Sequence, residues 1–244
     1  MPFAVIQFVF LFTLFASVVQ ADTLKLTSLR WPPYSDSELK NSGASVAVVR
    51  AALEVMGHDL EVTFFPWPRA VRTAMAEPSY QGYFPEYWYE TEDFIFSNAI
   101  GHGPLGFLEN RQRPVPWFSL EDLQAFRLGV VQDYVNTPEL DALIAAGQIN
   151  TETVVSDSIN ILMVAHRRVD LAVIDPNVFH FLMDHDRALT ELKPTVQMNP
   201  RLLTTKQLFV ALRNTPEGRR WTDIINQGLL KIDVERIMAE HGIR

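Results

Sequence analysis

Apolar positions along the chain alternate between short runs of period two and longer runs of helical period. Leu24-Lys25-Leu26-Thr27-Ser28-Leu29 has the alternation of a half-buried strand and stops at Trp31-Pro32-Pro33-Tyr34, where two prolines forbid continuation. Val46, Val49, Leu53 and Met56 keep helical spacing, and Gly57 is placed to close that helix. Leu60 to Phe65 reads as a second strand, and Pro68 then opens a helix that Pro78 ends. Strand, helix, strand, helix predicts a mostly parallel sheet flanked by helices.

The pattern restarts after a break. Residues 111–118 hold two prolines, two arginines and little periodicity, as a connection between lobes would. Phe126 to Val131 is then a strand, and Thr137-Pro138-Glu139 starts a helix that Gly147 ends. Ser158 to Arg167 predicts a helix, Asp170 to Ile174 a buried strand, and Asp175-Pro176 a further helix to about Asp184. A last strand over Gln207 to Leu212 precedes helices near 216–230 and 233–241. The fold class is α/β in two lobes, expected as 22–110 plus 203–244 for the first and 111–202 for the second.

The first twenty-one residues carry no Asp, Glu, Lys or Arg, hold an apolar core from Phe8 to Phe15, and end in Val19-Gln20-Ala21. Small residues at the first and third positions before a cut suit a signal peptidase, so 1–21 is expected to be a signal peptide, with an uncleaved membrane anchor as the alternative. Export to the periplasm follows, since no later segment is apolar enough to span a bilayer.

Composition narrows the chemistry. Zero cysteines in 244 residues exclude disulfides, thiolate metal sites and cysteine nucleophiles. A net charge of −8 without a basic cluster argues against a nucleic-acid partner. Gly101-His102-Gly103-Pro104-Leu105-Gly106 matches G-x-G-x-x-G, but Pro104 and the break that follows deny it the strand–turn–helix context a dinucleotide needs. P-loop, G-x-S-x-G and H-E-x-x-H patterns do not occur. His180, Asp184, His185 and Asp186 lie close in sequence and read better as a solvated helix end than as a metal site.

Ligands of open α/β sheets bind beyond the carboxyl ends of the strands. That rule selects Trp31 and Tyr34 after the first strand, and Trp67 and Arg69 after the second. It also selects Thr137, at a helix start in the second lobe, and Asp175, directly after its strand. The run 82–89 adds five aromatics, among them Phe84 and Tyr87, around Glu86; five rings broken by Gly82 and Pro85 cannot all face a core. Each has a plainer role open to it. Trp67 and Tyr34 suit packing, while Thr137 and Asp175 suit helix caps before proline. Arg69 opposes its helix dipole and so calls for a charged partner, a ligand or Glu86.

The mature chain resembles the periplasmic solute-binding proteins of the family-3 type, the polar amino acid binders of ABC transporters. The likeness rests on Trp31-Pro32-Pro33-Tyr34, Pro66-Trp67-Pro68-Arg69, Phe96-Ser97 and Leu128-Gly129-Val130-Val131. Residues 168–175 (RVDLAVID) and Asn226-Gln227-Gly228-Leu229 complete it. The resemblance implies two lobes joined by two hinge strands, with a small molecule trapped between them by hinge closure. It implies a monomeric, non-enzymatic binder without cofactor or metal, serving a membrane permease or, alternatively, a receptor. Another alternative is an enzyme resembling the periplasmic cyclohexadienyl dehydratases, for which Glu86 with Arg69 is the available pair.

One departure stands out. Amino acid binders of this family carry an Arg ahead of the Phe-Ser pair to hold the ligand's carboxylate, yet residues 77–110 contain neither Arg nor Lys. The clamp is missing or moved to Arg69. Asp175 falls where the family's acid holds the ligand's ammonium, and Thr137 near its anion loop. An acid facing aromatic rings suits a cation, so the expected ligand is a small polar, amine-bearing or aromatic solute.

Overall fold

Strand β1 (Thr23–Ser28) carries the first period-two run and pairs in parallel with β2 (Asp59–Phe64) on one side and β3 (Gly82–Glu86) on the other. In this computed structural model residues 22–243 are described, so the segment 1–21 expected as a signal peptide lies outside the described residues. Helices α1 (Ala44–Glu54) and α2 (Trp67–Ala76) cover the strands, α2 with Pro68 in its first turn, where a missing N–H breaks no helical bond. Short β4 (Phe94–Phe96) and long β5 (Gly101–Asn110) follow.

The second half repeats the plan. Strand β6 (Arg127–Val131) pairs in parallel with β7 (Asn150–Val154) and β8 (Leu171–Ile174). Helices α3 (Pro138–Ala145), α4 (Asp157–Ala165), α5 (Pro176–His185) and α6 (Arg187–Thr190) flank them. Strand β9 (Val196–Arg213) then runs back, followed by α7 (Pro216–Leu229) and α8 (Val234–Glu240). The strand order is β2-β1-β3-β9-β5-β8-β6-β7, with β4 beside β9.

Within each half the strands pair in parallel, whereas β5 and β9 run antiparallel to each other and bridge the two. The first core gathers Leu24, Leu26, Val48, Tyr83 and Ile100 with Leu208, Val210 and Trp221 from the returning segment. In the second half, alternate residues feed two cores on opposite sheet faces. Phe107, Leu171 and Val173 go to one, and Leu108, Ala172 and Ile174 to the other. Packing changes halves along β5 between Ile100 and Leu105 and along β9 between Leu203 and Leu208, near the two register irregularities of the β5–β9 ladder. The C-terminal helices return to the first lobe, where α7 approaches α1 so closely that a Cβ on Gly228 would lie 2.0 Å from the Ala52 carbonyl oxygen.

The stretch 101–106 is neither a dinucleotide loop nor part of the break: it is the first half of β5. Pro104 is tolerated because β5 pairs there with β9 alone among the described strands, the β8 ladder beginning only at Gly106. Strands β3, β4 and β7 are also present where no strand was expected, and β9 starts eleven residues before the run that signalled it.

Candidate ligand-binding cleft

The carboxyl ends of β1, β2, β6, β7 and β8 converge on the junction of the lobes, and the loops that follow them carry the interlobe contacts. After β2, Trp67 is buried and its Nε1 donates to the Asp133 carbonyl at 3.1 Å. Asp133 follows β6 and takes a left-handed backbone conformation (φ 61°), which Asp adopts more readily than most residues. After β1, the Tyr34 hydroxyl donates to Asp175 Oδ2 at 2.9 Å and accepts Asn177 Nδ2 at 2.9 Å. Trp31 stacks on Tyr34 with ring centroids 4.4 Å apart. On β9, Lys206 Nζ donates to the Asn136 carbonyl and sits 4.2 Å from the centre of the Tyr87 ring.

Three carboxylates are buried here, and burial pushes all of them up: Asp157 to about 7, Asp175 to about 7 and Glu86 to about 8. Their local partners differ. Asp175 caps α5, its Oδ1 accepting the Asn177 and Val178 amides at 2.6 and 3.2 Å while Oδ2 takes Tyr34. Glu86 accepts the Tyr87 amide at 2.7 Å and is faced by Lys206, whose ammonium burial depresses to about 8. Asp157, at the start of α4, has a 3.5 Å contact from the Tyr134 hydroxyl and support from the Trp31 indole. Burial first, then the surrounding carboxylates, raise the Tyr34 and Tyr87 hydroxyls, and the Tyr87 hydroxyl has no hydrogen-bond partner among the described residues.

Two adjacent hollows that share lining residues lie between the lobes. The inner one is a cavity of about 30 Å³ lined by Trp31, Trp67, Tyr87 and Tyr134 with Glu86. The outer one is a recess of about 450 Å³ that shares Trp31, Trp67 and Tyr134 with it and adds Phe64, Phe65, Asp157 and Ser158. That outer volume is in the range of small-molecule pockets.

Of the residues selected from the sequence, Trp31, Trp67, Glu86 and Tyr87 line these hollows, and Tyr34 and Asp175 form the link beside them. Three others do not join. Phe84 is fully buried in the first core, its carbonyl held by Ser28 Oγ at 2.7 Å. Arg69 is exposed on α2 with its guanidinium 4.6 Å from the centre of the Phe65 ring, so neither a relocated carboxylate clamp nor a pair with Glu86 is assembled. Thr137 caps α3 through the Leu140 amide at 3.2 Å and borders a different surface hollow, beside Trp117 and Arg201. In the aromatic run, Tyr83, Phe84 and Tyr87 are buried, whereas Trp88 remains 58% exposed.

The histidine-rich helix end is occupied by ordinary contacts: Asp184 pairs with Lys193 at 2.6 Å, Asp186 caps α6 and His185 stacks on Phe181. Among the described residues no group of three or more His, Asp or Glu is arranged to hold a metal ion.

Sequence reasoning passed over Tyr134, Asp157 and Lys206. Asp157 obeys the same strand-end rule as Asp175, but its strand, Asn-Thr-Glu-Thr-Val, is polar and gave no periodic signal.

No protein-family model matches the sequence, and no curated protein does either. Solved structures match along nearly the whole chain. A histidine kinase sensor domain with similarity to periplasmic binding proteins superposes with a TM-score of 0.76 at 20% identity, covering 91% of this chain and 96% of its own. An ancestral arginine-binding protein bound to arginine gives 0.73 at 15% identity, covering 90% and 98%. The GluR0 ligand-binding core from Nostoc punctiforme, in complex with L-glutamate, gives 0.68 at 18% identity, covering 89% and 96%. The chain therefore has the two-lobed fold of periplasmic-binding-protein-like domains.

Proposed function

We propose that this protein is a non-enzymatic periplasmic solute-binding protein that captures a small amine-bearing or aromatic solute between its lobes and presents the closed form to a membrane partner, a transporter permease. The observation that carries the reading is the cleft itself: aromatic rings from both lobes, with buried carboxylates among them, enclose a recess of small-molecule size. Fold likeness to binding proteins and sensor domains supports it. The Arg that would hold a carboxylate is missing between 77 and 110, and Arg69 does not supply it, which favours a cation over a free amino acid.

The test is a thermal-shift screen of residues 22–244 against amino acids, amines, organic acids and aromatic metabolites, with product analysis in the same samples. A bound solute at a hundredfold excess over its Kd adds about 2.7 kcal/mol, and it should remain chemically unchanged. Turnover of a hit would replace binding by catalysis. Silence across the whole panel would remove the solute-binding reading.

A further inference from the structure

We propose that the cleft is built for an arylalkyl primary amine, with Asp157 as the counter-ion of its ammonium and the Phe64–Phe65 side of the outer recess as the seat of its apolar body. The proposal deepens the solute-binding reading and rests on it.

Three buried carboxylates compete for the role, and their hydrogen bonds separate them. Asp175 is consumed by two α5 amides and Tyr34. Glu86 is engaged by the Tyr87 amide and faced by Lys206. Asp157, although it too is buried, has only its own backbone amide, the Trp31 indole and a long 3.5 Å contact from Tyr134. It also lines the one hollow of the two with room for a solute. Beyond the α4 N-terminus no cationic side chain pairs with this carboxylate among the described residues, and a buried ionised hydrogen bond to an ammonium supplies the missing counter-charge.

The walls fit the same ligand. Trp31, Trp67 and Tyr134 border both hollows, so a cation beside Asp157 lies among aromatic rings. The inner cavity of about 30 Å³ is too small for the aromatic body, which leaves the outer recess to hold it. Arg30, the other charged residue of the outer recess, is already tied to Asp36 at 2.9 Å and Glu38 at 3.2 Å, so it offers a carboxylate ligand little. An anion at the α4 N-terminus would meet Asp157 itself. Phe64, Phe65, Val155 and Leu182 supply the apolar length beyond.

The test is isothermal titration of the mature protein with benzylamine, phenethylamine and tyramine, with 3-phenylpropionate as the anion of matching shape, and with L-arginine and L-glutamate. At least one amine should bind, 3-phenylpropionate should not, and Asp157→Asn should weaken the amine about 10- to 100-fold, the worth of one charged hydrogen bond. The charge comparison uses only the wild-type protein, so it decides the ligand class even where Asp157→Asn fails to fold. Equal amine affinity in Asp157→Asn overturns the assignment to Asp157. No amine binding at millimolar concentration, or tighter binding of 3-phenylpropionate, overturns the ligand class. In that event, heat from either amino acid would leave the broader solute-binding reading standing, which separates the two failures.

Discussion

Tyr34 and Asp175 lie 141 positions apart in sequence and meet through a 2.9 Å hydrogen bond at the lobe junction, the Tyr34 hydroxyl donating to Oδ2. The same hydroxyl accepts Asn177 Nδ2, so one oxygen ties the turn after β1 to both the cap and the first turn of α5. Tyr34→Phe keeps the ring stacked on Trp31 but leaves Asp175 Oδ2 buried without its donor. The expected loss is about 1–3 kcal/mol, the cost of an unsatisfied buried polar group, read from urea denaturation. Small-angle scattering should show a larger radius of gyration than wild type where the link holds the lobes together. Unchanged stability would mean that water replaces the hydroxyl at no cost.

Beneath that link lies Gly103 on β5. A Cβ there would fall 2.3 Å from Asp175 Oδ2 and 2.4 Å from the Tyr34 hydroxyl. Gly103→Ala must therefore push the pair apart. Its cost should overlap with that of Tyr34→Phe, and the double variant should be less destabilised than the two single losses added. Full additivity would show that Gly103 serves the strand rather than the link.

Much of this was legible in the sequence, and the failures share a cause. Strands β1, β2, β6 and β8 were readable, the first two from apolar positions that alternate and the last two from short, nearly continuous apolar runs. Strand β7 was not, because it lies at the end of the strand order and its five residues are mostly polar; β5 was not, because Pro104 and three glycines mask it. Missing β7 hid Asp157. Among the candidates, Trp67 and Tyr87 reached the cleft because large rings after strand ends face the junction. Arg69 did not, since its place on α2 exposes it to solvent, which hydrates its charge while the Phe65 ring packs beside it.

Trp67 combines packing with the interlobe bond, and two substitutions separate these roles. Its ring meets Tyr83 edge-on at 5.4 Å in the first lobe and Tyr134 at 6.4 Å across the cleft. Trp67→Ala should cost about 3–5 kcal/mol, as expected for deleting a buried aromatic side chain. Trp67→Phe keeps a ring but loses the bond to the Asp133 carbonyl, so it should lower ligand affinity while costing less stability. A melting-temperature loss in Trp67→Phe as large as in Trp67→Ala would show that the indole N–H, not the packing, sets the stability.

The buried acids give the ligand-free protein a pH dependence of definite sign. Asp157 and Asp175 stand at about 7 and Glu86 at about 8 in the fold. In the unfolded chain they titrate near ~4. Between those limits the folded state binds more protons than the unfolded one, so stability is fully present below the unfolded values and falls as pH rises through the folded ones. Lys206, depressed to about 8, acts in the opposite direction only above that pH, where the folded state binds fewer protons than the unfolded. The hydroxyls of Tyr34, Tyr87 and Tyr134 at the cleft are raised and stay neutral throughout, and Arg30 of the outer recess is paired with Asp36 and Glu38. Melting temperature should therefore fall by several degrees between about pH 5 and about pH 8. Asp157→Asn should flatten that slope by removing one of the three groups, whereas a profile equally steep in the variant would place the proton uptake on Asp175 and Glu86. An ammonium ligand reverses the demand on Asp157, because it needs the carboxylate ionised. Amine affinity should accordingly weaken as pH drops below about 7, in the range where the empty protein grows more stable.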